Sequence, residues 1–310
     1  MTFTSDLLLS TLRMATPILL VALAELYSER AGLVNIGLDG IMAFGALSGF
    51  LACFITGSPF MGVLVGALAG ISVNMIYAFC TITLCAEQIV YGMAINIFAP
   101  AVASFIYRVY FGVSTIMPQG TLMKSVGQMM GISSNSLSFV GKLFLDQTPM
   151  VYFAYGMVIF TAIFFSKTKA GLNYKAVGEY PKAAETLGIN VIRQKYIACV
   201  ICGALAGMGG AYLTTCYVNT YSDGIVSGRG FIALSAVIFG RWKSGGVLLA
   251  CLLFGFFDAL QLRLQIGNPA VPYQLFQMIP YICTLLALAV FGIKKCSPKS
   301  NGQPFRKEER

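Results

Sequence analysis

Apolar positions run through this chain in long blocks, at 7–25, 33–56, 61–84, 88–111, 149–166, 196–218, 230–240, 244–263 and 274–292. A helix needs about 20 apolar residues to cross a bilayer, and most of these blocks have that length. The block at 230–240 is short and lies between Arg229 and Arg241, with Gly228, Gly230 and Gly240 beside them. That pattern predicts a re-entrant or broken helix, or a tilted span that borrows its neighbours. The expected fold class is an all-α integral membrane protein, a polytopic bundle of about 8–10 spans.

Composition points the same way. Of the 310 residues, 57% are hydrophobic and 11% charged, and the mean hydropathy is +0.77. A soluble domain carries about 25% charged residues, so that class is excluded, as are disordered, collagen-like and disulfide-stapled chains. The chain has no histidine, which removes imidazole bases and His-ligated metal sites. The nine cysteines are an odd number, and most lie in apolar stretches, where thiols act as small hydrophobes. Cys199 and Cys202 have no second pair at metal-site spacing and read as helix packing.

The net charge of +9 is concentrated in two places, unlike a nucleic-acid-binding patch. Lys167, Lys169, Lys175, Lys182, Arg193 and Lys195 fall in the loop at 167–195. Lys294, Lys295, Lys299, Arg306, Lys307 and Arg310 fall in the tail. By the positive-inside rule both face the cytoplasm, and Arg241 and Lys243 then lie on an inside turn. Nine crossings with the N-terminus outside and the C-terminus inside satisfy these clusters. Residues 1–293 form one transmembrane domain and 294–310 a basic cytoplasmic tail. Residues 7–24 read as a retained first span, because Asp6 precedes them and Arg13 interrupts them. The long external loop at 112–148 packs over the mouth of the bundle, contacts something outside, or is a solvated surface loop.

No P-loop pattern occurs, so the chain binds no ATP of its own in that way, and no nucleophile or acid–base constellation marks it as an enzyme. Gly66 and Gly70, and Gly203 and Gly207, are spaced for close helix approach. Residues 31–45 place Asn35 and Asp39 among Gly32, Gly37, Gly40 and Gly45, in the opening turns of a span. Asp39 either faces a cavity or partner, or serves as a cap near the interface. Asp258 and Gln261 share one face of the last-but-one span, with Arg263 toward its outer end. That polar stripe marks a translocation path or an inter-helix ion pair. In the loop, Pro181 suits a helix start, residues 183–187 are mostly helix formers and Gly188 suits its stop. A free two-turn helix there is a docking knob or a loop stiffener.

Three segments in order carry a resemblance: Gly32-Leu-Val-Asn-Ile-Gly-Leu-Asp-Gly-Ile-Met42, Ala176-Val-Gly-Glu-Tyr-Pro-Lys-Ala-Ala-Glu-Thr-Leu-Gly-Ile189 and Gly203-Ala-Leu-Ala-Gly-Met-Gly-Gly210. Together they resemble the permease subunits of bacterial ABC importers of the branched-chain amino acid, ribose and nucleoside group. Phe239-Gly-Arg-Trp-Lys243 and the stretch around Asp258 look most like the nucleoside branch. The resemblance implies a multi-pass permease of the bacterial cytoplasmic (inner) membrane, paired with a related second permease. An ABC ATPase subunit would dock from the cytoplasm and bind the ATP, so the permease needs no cofactor. A lipid-anchored binding protein would deliver the nucleoside from outside.

The resemblance makes the loop helix the coupling helix, with Gly178, Glu179, Pro181, Ala183, Ala184, Glu185, Leu187 and Gly188 as its ATPase-coupling residues. Asn35, Asp39, Asn96, Asp258 and Gln261 are the candidates for polar contacts along the path. Two alternatives stay open: a permease of the same group for ribose, another sugar or a branched-chain amino acid, and an ion-coupled secondary transporter with broken helices in both halves.

Overall fold

The computed structural model describes residues 3–112, 122–131, 139–267, 275, 278, 282 and 297–305. The apolar block at 274–292, the rest of the external loop and most of the tail's basic residues lie outside this set. Among the described residues the protein is helical and has no strand. In chain order the helices are α1 (Phe3–Arg30), α2 (Leu38–Thr56), α3 (Pro59–Ala78), α4 (Gln88–Phe111), α5 (Val126–Met129) and α6 (Phe139–Leu145). There follow α7 (Pro149–Lys167), α8 (Lys169–Glu179), α9 (Pro181–Thr186), α10 (Val191–Tyr212), α11 (Arg229–Phe239) and α12 (Ser244–Gly267). Seven of these are long and apolar enough to span a membrane, and α11 is a shorter apolar helix of 11 residues. The expected broken or re-entrant element is therefore α11, entered through an irregular segment at 218–228.

Burial sorts the spans into centre and periphery. The most apolar windows of α1 and α10 are 78% and 72% buried, whereas that of α4 is 17% buried. On α4, Ile97, Phe98, Phe105, Val109 and Tyr110 all point outward, an apolar surface that suits lipid tails or another span.

The centre is held by small residues. A Cβ on Gly45 would lie 2.5 Å from the Gly207 carbonyl oxygen, and one on Gly66 would lie 2.6 Å from Ala211 Cβ. One on Gly70 would run into the Gly203 carbonyl. The expected glycine spacing thus brings α2, α3 and α10 to backbone contact, where dispersion and not water exclusion supplies the attraction. Two helices also change pitch: α3 continues into a π-helical turn at Phe79–Thr83, and α10 into another at Leu213–Tyr217.

One end of the bundle, the basic end, carries Arg30, α8, α9 and the turn between α11 and α12. At the opposite end the described parts of the loop at 122–148 pack over the helices. Met123 and Gln147 are buried, Met123 N donates to the Thr215 carbonyl at 3.0 Å, and Arg13 Nη2 meets Asp146 Oδ2 at 3.1 Å. The packed alternative for this loop therefore holds in its described parts.

At the same end, Phe50, Tyr107, Phe111 and Tyr221 cluster edge-on and tilted, fastening the 218–228 segment to α2 and α4. Arg108 Nη2 donates to Asp223 Oδ2 at 2.5 Å, and this contact holds the Asp223 carboxyl below the usual carboxylate range. A carboxylate shifted downward keeps its contact above its unfolded-state value of about 4 and loses it as pH falls through the lower folded value. Protection of the amides at residues 221–225 should accordingly be constant between pH 5 and 8 in the wild type, because the pair stays formed throughout that range. Exchange there should accelerate at least threefold in Asp223→Asn across that range; equal rates in the two proteins would refute the clasp.

Candidate functional site

Site residues lie where two helices begin inside the bundle. The linker 31–37 turns back from the basic end before α2 starts, and this return is fixed by Asn35. Its side-chain amide donates to Asn74 Oδ1 at 2.8 Å, its Oδ1 accepts from Gly37 N at 3.0 Å, and its backbone N donates to Glu25 Oε1 at 3.0 Å. Asn35, Asn74 and Glu25 are fully buried. Asn35 is thereby spent on the protein's own groups and acts as a structural hub. Asn96 behaves similarly from α4: its amide donates to the Ile36 carbonyl at 2.6 Å and its Oδ1 accepts from Gly40 N at 2.8 Å. Both polar groups of Asn96 thus hold the start of α2.

Asp39 is half-buried, and its Oδ1 accepts from Gly230 N at 2.9 Å. It therefore caps α11, a helix 191 residues further along the chain, rather than its own. The capping geometry is close because Gly230 is bare: a Cβ there would lie 2.5 Å from the Asp39 nitrogen. A carboxylate at a helix N-terminus is favoured by the exposed N–H groups and by the helix dipole.

Arg229 stands in the first turn of the same helix, where the dipole disfavours a cation. Its Nη1 donates to the Ile225 and Val226 carbonyls at 3.0 and 3.3 Å, and its charge acts on both Asp39 and Asp258. Tyr217, at the end of the π-helical turn, lies within Coulombic range of Arg229 and Asp258. Asp258 and Gln261 are both half-buried on α12. The starts of α2 and α11, the end of α10 and the middle of α12 thus bring two carboxylates and one guanidinium into one electrostatic neighbourhood, while the guanidinium's own hydrogen bonds go to backbone carbonyls. Such a group in a low-dielectric bundle offers donors and acceptors to a polar solute, and Arg229 offsets part of the negative charge of the two carboxylates.

The basic end contains the second group. Helix α9 starts at Pro181 and stops at Thr186, and Gly188 follows in the left-handed region at φ +82°. The expected short helix is present, and α8 precedes it. Gly178 and Ala184 are buried, Glu179, Pro181 and Glu185 are half-buried, and Ala183, Leu187 and Gly188 are exposed. Gly178 has no room for a side chain, since a Cβ would strike the Arg30 carbonyl at the end of α1. Leu187 is 79% exposed and Tyr180 56%. Together with exposed Lys182, Ala183 and Thr186 they give α9 a mixed apolar and basic outer face.

Sequence reasoning passed over three residues. Glu25 and Glu29 sit one turn apart on α1 and are both buried. Glu29 Oε2 accepts from Trp242 Nε1, while Arg30 Nη2 donates to the Trp242 carbonyl at 2.5 Å. Two carboxylates one turn apart at the end of an apolar block were the available signal. Arg229 was visible only as the flank of a short block. The paired cysteines behave as expected, Cys199 and Cys202 being buried and free on α10.

Comparison with known proteins fits these features. The chain is 34% identical to the nucleoside ABC transporter permease protein NupC of Lactococcus lactis over 95% of each chain. It is also 34% identical to the guanosine ABC transporter permease protein NupQ of Bacillus subtilis, over 97% of this chain and 96% of that one. In fold it is similar to a solved metal-chelate type ABC transporter in an inward-facing conformation, with a TM-score of 0.51 and 14% identity over 92% of this chain and 85% of the other. Residues 7–288 match the family described as "Branched-chain amino acid transport system / permease component". The chain is a multi-pass membrane protein and belongs to that permease family.

Proposed function

We propose that this chain is the transmembrane permease subunit of an ATP-driven nucleoside importer. What carries the reading is its near full-length similarity to proteins named for nucleoside and guanosine transport; the exposed helix α9 at the basic end gives it a place to act. The basic end faces the cytoplasm, as the distribution of lysine and arginine requires, and the N-terminus faces outside. An ATPase subunit seats α9 in a groove, binds the ATP, and passes its closure to the spans. A second, related permease encloses the other side of the path, and a lipid-anchored binding protein delivers the substrate.

Along the path, Asp39, Arg229 and Asp258 present charge-assisted partners to ribose hydroxyls and base edges, and Gln261 continues that face of α12. Asn35 and Asn96 contribute by holding α2 in place. The α9 face with Tyr180, Ala183 and Leu187 meets the ATPase, and Gly178 and Gly188 set its entry and exit.

Uptake of labelled adenosine, guanosine and uridine by cells with and without the gene tests the reading. Unlabelled ribose and leucine serve as competitors, and ATP depletion is compared with a protonophore. Gene-dependent, ATP-dependent uptake unaffected by ribose or leucine is the expected result. Competition by either would move the substrate, and uptake that survives ATP depletion would overturn the ATP-driven reading.

The docking role of α9 gives a sharper prediction. Burying one leucine contributes about 2 kcal/mol, roughly a 30-fold change in affinity. Leu187→Asp, at an exposed position that the fold does not need, should lower ATPase co-purification by at least that factor while the permease level in the membrane stays constant. Undiminished co-purification would remove α9 from the interface.

A further inference from the structure

Residues 297–305 return to the basic end and pack there. Ser300 is buried; its backbone N donates to the Gly178 carbonyl at 3.1 Å, and its Oγ donates to the same carbonyl at 2.6 Å. Gly32 leaves room for it, since a Cβ there would lie 2.6 Å from Ser300 Oγ. Lys299 Nζ donates to the Tyr180 hydroxyl and sits 4.7 Å from the centre of a tyrosine ring, that of Tyr180 itself. Phe305 packs with Val177, Ala184 and Val191, and its carbonyl accepts from Cys85 Sγ at 3.6 Å. The Asn301 side chain lies close enough to Glu29 to act on its carboxylate, the group that also holds Trp242.

These contacts matter because α9 has little holding it. A helix of six residues is far below the length that is stable alone, and Ala184 is its one buried side chain among the described residues. On one side, the segment grips α8, α9 and the first turn of α10. On the other it reaches Glu29, and through Glu29 the turn that ends α11. Helix α11 runs from that turn to Gly230 and the Asp39 cap. Phe305 also lines both clefts that flank α9, of about 380 and 420 Å³, so it lies beside the surface that a docked subunit would touch.

We propose that residues 297–305 form a coupling strap that makes α9 and the α11–α12 turn move as one body, carrying the ATPase stroke to the charged group at Asp39, Arg229 and Asp258. The proposal rests on the reading of this chain as an ATP-driven permease. Within it, Ser300 and Phe305 are positioning residues: they act through α9 and meet neither ATP nor nucleoside.

The test uses the full permease–ATPase complex in proteoliposomes with its binding protein, measuring nucleoside uptake and ATP hydrolysis together. For a chain ending at residue 296, hydrolysis should stay within twofold of wild type while uptake per ATP falls at least tenfold. Phe305→Ala should lower that ratio about threefold, and Phe305→Tyr should restore it. An unchanged ratio in the truncated complex overturns the strap. So does a parallel loss of both activities in Phe305→Ala, which would make the segment a folding element only. If the truncated chain fails to assemble, the ratios of the two Phe305 variants decide. Absence of nucleoside uptake by the wild-type complex would instead count against the proposed function, and the two failures are therefore distinct.

Discussion

Arg229→Met is expected to lower uptake by about two orders of magnitude while leaving the amount of protein in the membrane within twofold of wild type. The reason is electrostatic. Asp39 and Asp258 both feel the Arg229 charge, and removing the guanidinium leaves two half-buried carboxylates less compensated, at a cost of about 3 kcal/mol, the low end for charges out of water. Asp39 retains its hydrogen bond from Gly230 N, so α11 stays capped and the loss falls on Asp258 and on the solute that the group would bind. Arg229→Lys keeps the charge but not the planar fork that reaches the Ile225 and Val226 carbonyls, and a loss of about tenfold is expected. The double variant Arg229→Met/Asp258→Asn should recover part of the activity of the single one, because the stranded carboxylate is gone. Asp258→Ala should itself abolish uptake in an assembled complex. Wild-type uptake in Arg229→Met would remove the charged group from the mechanism.

Gly207→Leu should prevent the protein from accumulating as a folded monomer in detergent. A Cβ at this position would run into the Gly66 carbonyl and lie 3.0 Å from Gly70 Cα. Backbone cannot step aside as a flexible side chain does, so α3 and α10 must separate. Separation removes the neighbouring contacts of Gly70 and Gly203 as well. Overpacking typically costs about 1–3 kcal/mol; here the loss exceeds that range because the seam opens as a unit. Gly156→Leu is the control, since nothing lies within 4 Å of a Cβ built there, and its yield and thermal midpoint should match wild type. Size-exclusion profiles of the two variants compare them directly, and a monodisperse Gly207→Leu peak at wild-type yield would refute the seam.

The spans were legible because lipid imposes a length and a composition on every helix that crosses it. The block at 88–111 and α4 coincide residue for residue. Helix α8 was not anticipated: its eleven residues are too polar to stand out as a block. Its buried positions, Gly171, Tyr174, Val177 and Gly178, nevertheless recur at helical spacing. The role of Asp39 was half legible. Its cost in an apolar stretch marked it as a cap or a cavity residue, but the helix it caps lies in the second half of the chain. No local spacing encodes such a pairing.

Arg229 stood out only as a flank for a related reason. An arginine flanking an apolar block ordinarily marks the membrane surface, whereas a broken helix brings its first turn into the interior. The coupling loop read well because Pro181 and Gly188 act locally, one fixing φ and the other accepting a left-handed conformation.

The turn that joins α11 to α12 has a mechanical consequence. Arg241 and Trp242 adopt φ of +52° and +54°, a region that costs a residue with a side chain about 1 kcal/mol or more. Two in succession store about 2 kcal/mol, a factor of roughly 30 between two states. Arg30 and Glu29 of α1 hold the turn in that shape through the Trp242 carbonyl and indole. The turn is therefore bent against its own preference with its catch on another helix: the bonds from α1 must offset that strain, and a state that gave them up would recover it.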